Sequence, residues 1–499
     1  MKSDTLPIPR TNAKKNLPEG WEITQLKDIC ERITKGSTPT SYGYSYTTNG
    51  IRFIKAENID RNGSVSTTTD YIDEETNEYL KRSILRENDI LFSIAGTIGR
   101  VGLIHEKDLP ANTNQALAII RFHHSAVDTK YLFYYLKSDA IQREAIKRIV
   151  GVGRANLSLT EVGELEIALA PPSLQKLIVS EIEKQFSRLD EAVAALKRVR
   201  ASLKRYKASV LKAAVEGKLT EEWRKENVGA GPRACPDKKG QPQGVAPTET
   251  GADLLKRILA ERKKKWEEKN PKKKYKEPSA PDTSNLPELP KGWVWINFVR
   301  LASDMKNSIK RGPFGSAIKK AFFVQKGYKV YEQQNAIYNN HKLGNYYINE
   351  EKYNELIDFT VKPCDFIISC SGTIGKIAQI PESAEKGIIN QALLKITIDN
   401  KLVLSKYFLY LFKSDVFQKM FLKDIRGTAM KNIASVEDLK LIPVALPPLH
   451  EQTTIVEEIE SRLSVAEEIE ETIDINLKRT ERLRQAILKK AFSGKLITQ

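Results

Sequence analysis

Apolar residues recur with a seven-residue period in two long, highly charged stretches of the chain. In the first stretch the repeating positions are Ile182, Leu189, Leu196, Leu203 and Val210, with Phe186 and Val193 on the companion positions. In the second stretch they are Ile459, Ala466, Ile473, Thr480 and Ile487, with Leu463 and Leu477 beside them. This period is typical of coiled-coil helices. We call each set of repeating positions a seam, and the second seam is less regularly apolar because one of its residues is small and another is polar.

Charge along the two predicted helices indicates how they pair. Glu451 to Asp474 holds nine acidic residues and one basic residue, whereas Lys478 to Lys495 holds seven basic residues and one acidic residue. The first helix likewise begins acidic, and Lys197 to Lys218 holds eight basic residues and one glutamate. Antiparallel pairing sets acidic halves against basic halves, so it is favoured. The common preference for acids at helix starts and bases at helix ends contributes to the same gradient.

The chain contains two copies of one pattern, and the matches keep almost one spacing. Leu17-Pro18-Glu19-Gly20-Trp21 returns as Leu289-Pro290-Lys291-Gly292-Trp293, 272 positions later. The turn Gly96-Thr97-Ile98-Gly99 returns as Gly372-Thr373-Ile374-Gly375, and Asn114-Gln115-Ala116-Leu117 as Asn390-Gln391-Ala392-Leu393, both 276 positions later. The helix ends Gly217-Lys218-Leu219 and Gly494-Lys495-Leu496 are 277 apart, which places one extra residue in the second helix. Such repetition predicts two similar domains.

Each copy has the order globular segment, proline pair and long helix. The alternation at Ile51–Ile54 and the apolar run Ile90–Ile94 predict strands, and Tyr131–Lys147 predicts one amphipathic helix. The Asn-Gln-Ala-Leu segments are interpreted as strands, the Gly-Thr-Ile-Gly segments as tight turns, and the proline pairs as helix starts.

The predicted fold is therefore α+β: two similar mixed α/β domains joined by two long antiparallel coiled-coil helices in a pseudo-twofold tandem repeat. A helix of about 45 residues is roughly 65 to 70 Å long, which is enough to hold two recognition domains at separate sites. The predicted boundaries are an N-terminal extension (1–16), a first globular segment (17–170), a first long helix (171–227), a flexible linker with a short basic helix at Leu254–Lys269 (228–288), a second globular segment (289–446) and a second long helix (447–499).

Composition narrows the class of partner. The 499-residue chain has a formal net charge of +17 and a pI of about 9.4, which favours a polyanion such as nucleic acid. Part of the charge is local, because Ala252–Lys276 holds eleven basic and four acidic residues, and a solvated linker helix explains that run equally well. We find no apolar run of about 18 residues and no apolar stretch in Met1–Arg10, so a cytoplasmic protein without a membrane partner is expected.

The ordered set of motifs resembles the specificity subunits of type I restriction-modification systems, and the resemblance covers nearly the whole chain from Leu17. The helix ends Lys212–Leu219 and Lys489–Leu496 and the run Leu446–Gln452 belong to that set. The first copy has Pro-Pro-Ser-Leu-Gln-Lys where the second has Pro-Pro-Leu-His-Glu-Gln, which leaves the first hinge uncertain, and residues 1–16 and the central linker are additions.

The resemblance implies a division of labour between several chains. The globular segments would be target recognition domains that each read one half of a bipartite, asymmetric site in double-stranded DNA. The helices would form the spacer on which two methyltransferase subunits dock, and endonuclease subunits would join that core. The resemblance implies no cofactor on this chain, S-adenosylmethionine on the methyltransferase subunits, and ATP and magnesium on the endonuclease subunits.

Motifs for catalysis are missing or weak. Neither glycine turn fits the phosphate loop G-x-x-x-x-G-K-[ST], and neither proline pair has the Asn/Asp-Pro-Pro-aromatic form expected of an amino-methyltransferase. Glu181-Ile182-Glu183-Lys184 mimics part of a nuclease motif but lies on the predicted helix. The four cysteines, interpreted as mostly buried thiols, and the five histidines show no zinc spacing, so no metal site is expected. A stand-alone nuclease or methyltransferase and a coiled-coil adaptor that binds only protein remain as alternatives. The enzyme alternative requires cofactor binding or turnover by the purified chain, and salt-dependent DNA retention separates the main interpretation from the adaptor.

Loops that are dense in polar, basic and aromatic residues are the candidates for DNA contact, because phosphates need basic groups and base edges need short or planar polar groups. In the first globular segment the candidates are Lys35, Ser37, Thr38, Tyr42, Tyr44, Asn49, Arg52, Lys55 and Asn58. In the second they are Lys310, Arg311, Ser316, Lys319, Lys320, Gln333, Gln334 and Asn335. A repeated glycine-led loop adds Arg154, Asn156, Lys431 and Asn432, for which capping of the loop is an equal alternative. Surface solubility explains any single member as well as contact does.

Overall fold

The computed structural model of the chain describes residues 17–68, 70–122, 127–149, 156–227, 235–236, 242–243, 249–272, 274–275, 277, 279–314, 317–423, 432–433 and 435–497. These residues form two compact units: unit 1 contains residues 1–198 and 472–499, and unit 2 contains residues 199–471. The units do not coincide with the sequence repeats, because each one combines one globular segment with parts of both long helices. Among the described helices none is long and apolar enough to cross a membrane.

Unit 1 contains nine strands and five short helices besides parts of the long ones. The strands are β1 (Glu22–Gln25), β2 (Cys30–Lys35), β3 (Ile51–Ile54), β4 (Tyr71–Ile72), β5 (Ile90–Ser93), β6 (Val101–Leu103), β7 (Ala111–Thr113), β8 (Leu117–Phe122) and β9 (Glu166–Leu169). The short helices are α1 (Leu26–Ile29), α2 (Glu74–Tyr79), α3 (Thr129–Leu136), α4 (Asp139–Lys147) and α5 (Leu159–Gly163). The first long helix, α6 (Pro172–Val215), starts here and continues into unit 2.

The strands of unit 1 form an antiparallel sheet in the order β2-β8-β5-β6, a smaller sheet β4-β3-β7 and the pair β1-β9. In β5, Ile90 and Phe92 pack with the helices, whereas Leu91 packs on the opposite face with Ile54 and Ile119. Both faces of this strand are therefore buried, which explains its unbroken apolar run.

Unit 2 continues with α7 (Glu221–Asn227) and contains the remaining elements of the chain. Its strands are β10 (Cys235–Pro236), β11 (Pro242–Gln243), β12 (Val294–Asn297), β13 (Ile309–Arg311), β14 (Phe323–Val324), β15 (Tyr328–Tyr331), β16 (Tyr347–Ile348), β17 (Thr360–Val361), β18 (Phe366–Ser369), β19 (Ile377–Gln379), β20 (Gly387–Ile389), β21 (Leu393–Ile396), β22 (Leu422–Lys423), β23 (Asn432–Ile433) and β24 (Pro443–Leu446). Its further helices are α8 (Gly251–Lys269), α9 (Gln333–Ile337), α10 (Glu350–Glu355), α11 (Ser405–Lys413), α12 (Asp415–Phe421) and α13 (Val436–Leu441). The second long helix, α14 (Leu449–Ala491), begins in unit 2 and ends in unit 1.

The sheets of unit 2 repeat those of unit 1. The order β13-β21-β18-β19 matches β2-β8-β5-β6, the pair β12-β24 matches β1-β9, and a five-stranded sheet β14-β16-β15-β20-β17 contains the match of β4-β3-β7. In both units one parallel pair, β3-β7 or β15-β20, stands among antiparallel pairs. The tandem α+β fold predicted from the sequence repeat is confirmed.

The two long helices run antiparallel inside each unit. In unit 1 the early part of α6 meets the late part of α14, since Arg484 is paired with Asp190 and Leu488 is buried with Ile182. In unit 2 the late part of α6 meets the early part of α14, since Lys207 Nζ lies 2.6 Å from Glu470 Oε2 and Val210 shares a core with Ile459. Opposite charges meet in both places, as the charge gradient predicts.

Burial varies along the predicted seams. The buried seam residues are Ile182, Phe186, Val210, Ile459, Ala466, Ile473 and Thr480. The half-buried ones are Leu189, Val193, Leu196, Leu203, Leu463, Leu477 and Ile487. The best-covered positions of α6 therefore lie towards its ends, where the helix also touches a globular segment.

Two sequence-based expectations about local structure are wrong. The stretch Tyr131–Lys147 is two helices, α3 and α4, because Ser138 adopts an extended backbone and starts the second one. Most of each Asn-Gln-Ala-Leu segment is a turn ahead of its strand, because the Asn114 and Asn390 side chains each accept a hydrogen bond, 3.0 Å long, from the backbone N–H two residues later.

The start of each long helix is fixed to its globular segment by a glutamine. Gln175 accepts a hydrogen bond from the backbone of Asp128 and donates to Ala170 O, and Gln452 accepts from Leu404 and donates to Pro447 O. These glutamines are 277 positions apart, so the extra residue of the second copy lies within the first turn of α14.

That first turn of α14 carries a buried charge cluster in unit 2. The carboxylate of Glu451 is fully buried and pairs with Arg224 of α7. It also accepts hydrogen bonds from Thr220 Oγ1 at 2.7 Å and from Trp293 Nε1 at 2.8 Å. The cluster therefore joins three distant segments: the end of the first repeat, the start of the second globular segment and α14.

The basic helix α8 is packed against unit 2 along one face. Leu254 and Ile258 are buried in its core, and Arg262 Nη2 lies 2.6 Å from Asp399 Oδ2. The part of the predicted linker that precedes its basic helix lies mostly outside the described residues. The helix itself, α8, begins at Gly251, three residues before the predicted start at Leu254.

Candidate nucleic-acid interface

Four loops of unit 1 converge at one edge of the β2-β8-β5-β6 sheet. The turn Gly96–Gly99 joins β5 to β6, and the backbone N–H of Ile94 donates to Ala116 O of the Asn-Gln turn at 2.8 Å. Ala95 also forms an isolated bridge with Asn156. Gly36, after β2, lies so close to this edge that an added Cβ would stand 1.8 Å from Thr113 O, so only glycine fits there.

Unit 2 builds the same edge from the second copy of the motifs. The backbone N–H of Cys370 donates to Ala392 O at 2.8 Å, as Ile94 does to Ala116 in unit 1. An added Cβ on Gly312 would stand 1.8 Å from Asn390 O. The strand registers agree, because Lys35 pairs with Ala118 and Arg311 pairs with Leu394. Lys35 and Arg311 are therefore equivalent positions, each directly before the tight glycine.

Several candidates of unit 1 lie on the surface beside this edge. Lys35, Tyr42 and Asn49 are exposed, and Ser37, Thr38 and Tyr44 are partly exposed. Thr38 Oγ1 donates to the Gln115 side chain of the repeated Asn-Gln turn. Tyr79 lies with its ring centroid 5.3 Å from Tyr42 and 5.1 Å from Tyr44. The result is a half-exposed tyrosine platform of a kind suited to stacking or to hydrogen bonding.

Three other candidates of unit 1 are held by partners inside the chain. Arg52 lies 3.4 Å from Asp108, and Lys55 Nζ lies 2.9 Å from Asp70 and 4.7 Å from the ring centre of Tyr46. Asn58 accepts a hydrogen bond of 2.8 Å from the backbone of Lys55. These contacts give the three residues a structural role in holding the loop, and any contact with DNA requires their release.

In unit 2, as in unit 1, some candidates are exposed and others are held by contacts within the chain. Lys319 and Lys320 are exposed, Lys310 Nζ lies 5.0 Å above the ring of Phe359, and Arg311 lies 6.0 Å from the ring centre of Phe314. Gln334 donates to Glu332 at 2.7 Å. Asn335 is fully buried, accepts from Glu332 N and donates to two backbone carbonyls, so it holds a loop and is unavailable for DNA.

Five further candidates belong to the repeated glycine-led loop or follow β13 in the sequence. Arg154, Ser316 and Lys431 lie outside the described residues, and of Asn432 only the backbone, in β23, is described. Asn156 is exposed and bridges to Ala95 at the turn edge. Asn156 is therefore the candidate of this loop whose place at the turn edge is described, and its contact with DNA stays a prediction.

Burial is the main cause of the pKa shifts of two ionisable groups next to the edge. Burial raises the pKa of the Cys370 thiol to about 12, although the positive charge of Arg311 opposes this shift. Burial also lowers the pKa of Lys395, whose Nζ donates to Thr360 O at 2.6 Å. Cys370 is therefore a protonated core thiol at neutral pH, while Cys30 is half-buried and Cys364 is exposed.

Sequence analysis missed some residues of this surface. Gln115 and Gln391 are exposed at equivalent turns, and their repetition in the Asn-Gln motif was the available signal. Tyr79 and Phe314 were also missed; Phe314 is 77% exposed, and Tyr79 joins the other tyrosines only through the fold. Neither aromatic residue has a counterpart in the other copy that would have marked it.

A shared α+β frame used twice, with matching turns but different side chains around them, defines a tandem-repeat protein with two similar domains. The family model described as the type I restriction modification DNA specificity domain matches residues 18–204 and 304–479. The chain therefore belongs to the family of type I restriction-modification DNA specificity proteins.

Individual relatives agree with this membership. The chain is similar to the EcoBI specificity subunit of Escherichia coli, with 27% identity over 275 residues that span 54% of each protein, or about half the length of that relative. It is also similar to the EcoKI specificity subunit of Escherichia coli strain K12, with 21% identity over 97% of this chain and 90% of that one. A solved chain from a study of complex assembly and conformational transition in a type I restriction-modification system shares the fold, with TM-score 0.58, 18% identity and coverage of 96% and 99%.

Proposed function

We propose that the chain selects the DNA target of a type I restriction-modification complex, with each globular segment binding one half of a bipartite, asymmetric site. The observation that carries this proposal is the repeated edge of turns. Its frame is the same in both units, but Lys35 in unit 1 corresponds to Arg311 in unit 2 and Thr38 to Phe314. A constant frame with variable side chains suits two domains that approach DNA alike and bind different bases.

The long helices are proposed to set the gap between the half-sites and to dock two methyltransferase subunits, after which endonuclease subunits join. The helices carry large apolar side chains that remain exposed in this chain, a pattern that marks surfaces for protein partners. These side chains are Leu177, Val199, Tyr206, Val465, Ile469, Ile475 and Leu483. Their exposed fractions range from 39% to 57%.

The chain is proposed to be non-catalytic and to bind no cofactor itself. In this proposal the methyltransferase subunits use S-adenosylmethionine, and the endonuclease subunits use ATP and magnesium. The proposed partner, double-stranded DNA, implies action in the cytoplasm of a prokaryotic cell and no membrane partner.

Methylome sequencing of cells with and without the gene tests the proposal. We expect the loss of one bipartite motif with an unspecified centre when the gene is removed. Unchanged methylation in cells that express an intact methyltransferase partner would contradict the proposal. A purified complex should also release DNA as salt rises, because phosphate contacts displace counterions. The absence of DNA retention would favour the protein-only adaptor, and retention that does not weaken as salt rises would contradict phosphate-driven binding.

The spacing role has its own test. A heptad inserted after Leu196 and a matching one after Ile473 keep the seam in phase and lengthen each helix by about 10 Å. The expected result is an unchanged pair of half-sites with a gap longer by up to about three base pairs, measured by methylome sequencing. An active insertion variant whose gap is unchanged would refute the spacing role.

A further inference from the structure

At the repeated edge of unit 2, two polar atoms are buried without a hydrogen-bond partner among the residues that the structure describes. They are Nε of Arg311, at the end of β13, and Oε1 of Gln333, the first residue of α9. Buried polar atoms in native proteins are nearly always satisfied, so an unsatisfied pair at a candidate interface indicates a missing partner.

Both side chains adjoin the start of the Gly-Thr-Ile-Gly turn. Gln333 Nε2 lies 3.9 Å from the position that a Cβ on Gly372 would take, and the charge of Arg311 acts on Cys370, two residues earlier. The turn residues Ser371, Gly372 and Thr373 are exposed. The two side chains therefore lie beside a surface that a large ligand can approach.

The equivalent position in unit 1 has different chemistry. Lys55 and Asn58 form a capping box at a short 3₁₀ turn, and Glu332 and Asn335 form the same box at α9, 277 positions later. Gln333 therefore corresponds to Ala56, just as Arg311 corresponds to Lys35. A glutamine and an arginine occur in one copy where the other has alanine and lysine, although the surrounding frame is kept.

Arginine and glutamine are the residue types that recognise purines in the major groove. Arginine donates two hydrogen bonds to O6 and N7 of guanine, and glutamine exchanges two with N6 and N7 of adenine. Lysine makes a less directional contact, and alanine has no hydrogen-bonding group. The two copies therefore differ in the bases that these positions can recognise.

We propose that Arg311 and Gln333 are specificity-determining residues that contact base edges in the half-site bound by the second globular segment. This inference rests on the proposed function. These two atoms are buried in the free chain, so each side chain has to turn outwards to reach a base edge, where its unsatisfied atom would find a hydrogen-bond partner. Phe314, exposed beside Arg311, would cover the apolar side of that contact.

The test uses the full chain in complex with its methyltransferase subunits, and the other copy supplies substitutions that this frame accommodates. The variants are Arg311→Lys and Gln333→Ala, which install the residues of unit 1. Gln325→Ala is the matched control, since Gln325 is an exposed glutamine of unit 2 that is not among the candidates for DNA contact. Lys319→Gln, which removes an exposed charge, controls for phosphate binding. Motifs are read by methylome sequencing, and affinities are measured on duplexes with single changes in either half-site.

Each of the two variants should relax one position of the second half-site, with discrimination at that base pair falling about tenfold, within a range of roughly 5-fold to 150-fold. The first half-site and the gap should not change. Gln325→Ala should leave the motif intact, and Lys319→Gln should weaken binding equally on all sequences. If methylation is lost, the binding data decide: loss of discrimination at one base pair supports the inference, and loss at both half-sites or of all binding overturns it.

An unchanged motif with unchanged discrimination in both variants also overturns the inference. That result is distinct from failure of the proposed function, which would show in the wild-type complex as the absence of any bipartite motif.

Discussion

Breaking the Arg224–Glu451 pair is expected to destabilise unit 2 strongly. The Glu451 side chain has no exposed surface and that of Arg224 is only 10% exposed, so water cannot replace either partner. Arg224→Met leaves a buried carboxylate with only the Thr220 hydroxyl and the Trp293 indole N–H as donors. Removing one member of a buried pair typically costs about 3 to 5 kcal/mol.

The cost should be visible in urea unfolding followed by tryptophan fluorescence. Four of the five tryptophans, Trp223, Trp266, Trp293 and Trp295, lie in unit 2, so the signal reports mainly on that unit. With a slope of about 3 kcal/mol per molar urea, the midpoint should fall by about 1 to 1.7 M. Lys225→Met on the same helix, whose partners are exposed, is the control and should shift the midpoint by about 0.3 M or less.

A double variant separates the contribution of the ion pair to the free energy of unfolding from that of general packing. Arg224→Met with Glu451→Leu removes both charges, so it should be more stable than Arg224→Met alone, with a coupling energy of about 1 to 3 kcal/mol. If the two single effects simply add, or if Arg224→Met costs less than about 1 kcal/mol, the buried pair does not stabilise unit 2 in the way argued above.

Three further predictions concern single residues. Gly36→Ala should lower the melting temperature more than Gly43→Ala does. A Cβ added to Gly36 would stand 1.8 Å from a backbone oxygen, whereas a Cβ added to Gly43, at φ +84°, would have nothing within 4 Å. Equal losses of melting temperature in calorimetry would contradict the close approach at Gly36. Burial lowers the pKa of His450 below its usual 6.5, so the unfolded chain takes up the proton first and stability falls as the pH drops through about 6.5. His450→Phe should therefore lose less unfolding free energy than wild type between about pH 7.5 and pH 5.5, and an identical loss would refute the role of burial. In a Cys235→Ser background, native protein should react rapidly with a thiol reagent at about one site, the exposed Cys364, and Cys364→Ser should abolish the fast phase.

The features that sequence alone predicted are those that depend on local or periodic information. The heptad pattern defined the two long helices, and the charge gradients gave their antiparallel pairing, because both signals lie within one helix at a time. The glycine turns and the tandem repeat were accessible for the same reason. The family resemblance indicated which tasks belong to this chain and which belong to partner subunits. No single motif in the sequence indicates this division.

The features that were missed depend on partners far away in the chain. Arg52 and Lys55 belong to a dense polar loop, but their aspartate partners lie 56 and 15 positions later and are recognisable only in the fold. The break between α3 and α4 falls at Ser138, inside a run with continuous helical spacing. Asn335 was selected as an exposed amide, yet the loop that it supports encloses it. The candidate surface therefore stays a prediction, while the contacts of its individual residues within the chain required coordinates.

The composition of the two units has a consequence for synthesis on the ribosome. Unit 2 is continuous from residue 199 to residue 471, so all of its core is available before the chain is finished. Unit 1 needs residues 472–499, whose Leu488 and Ala491 are buried among side chains of its first 198 residues. Unit 1, which is translated first, therefore exposes an apolar groove until its last segment emerges. Unit 2 is translated second and can complete its core as soon as its own residues have emerged. Nascent chains stalled before residue 472 should engage chaperones through unit 1 and not through unit 2.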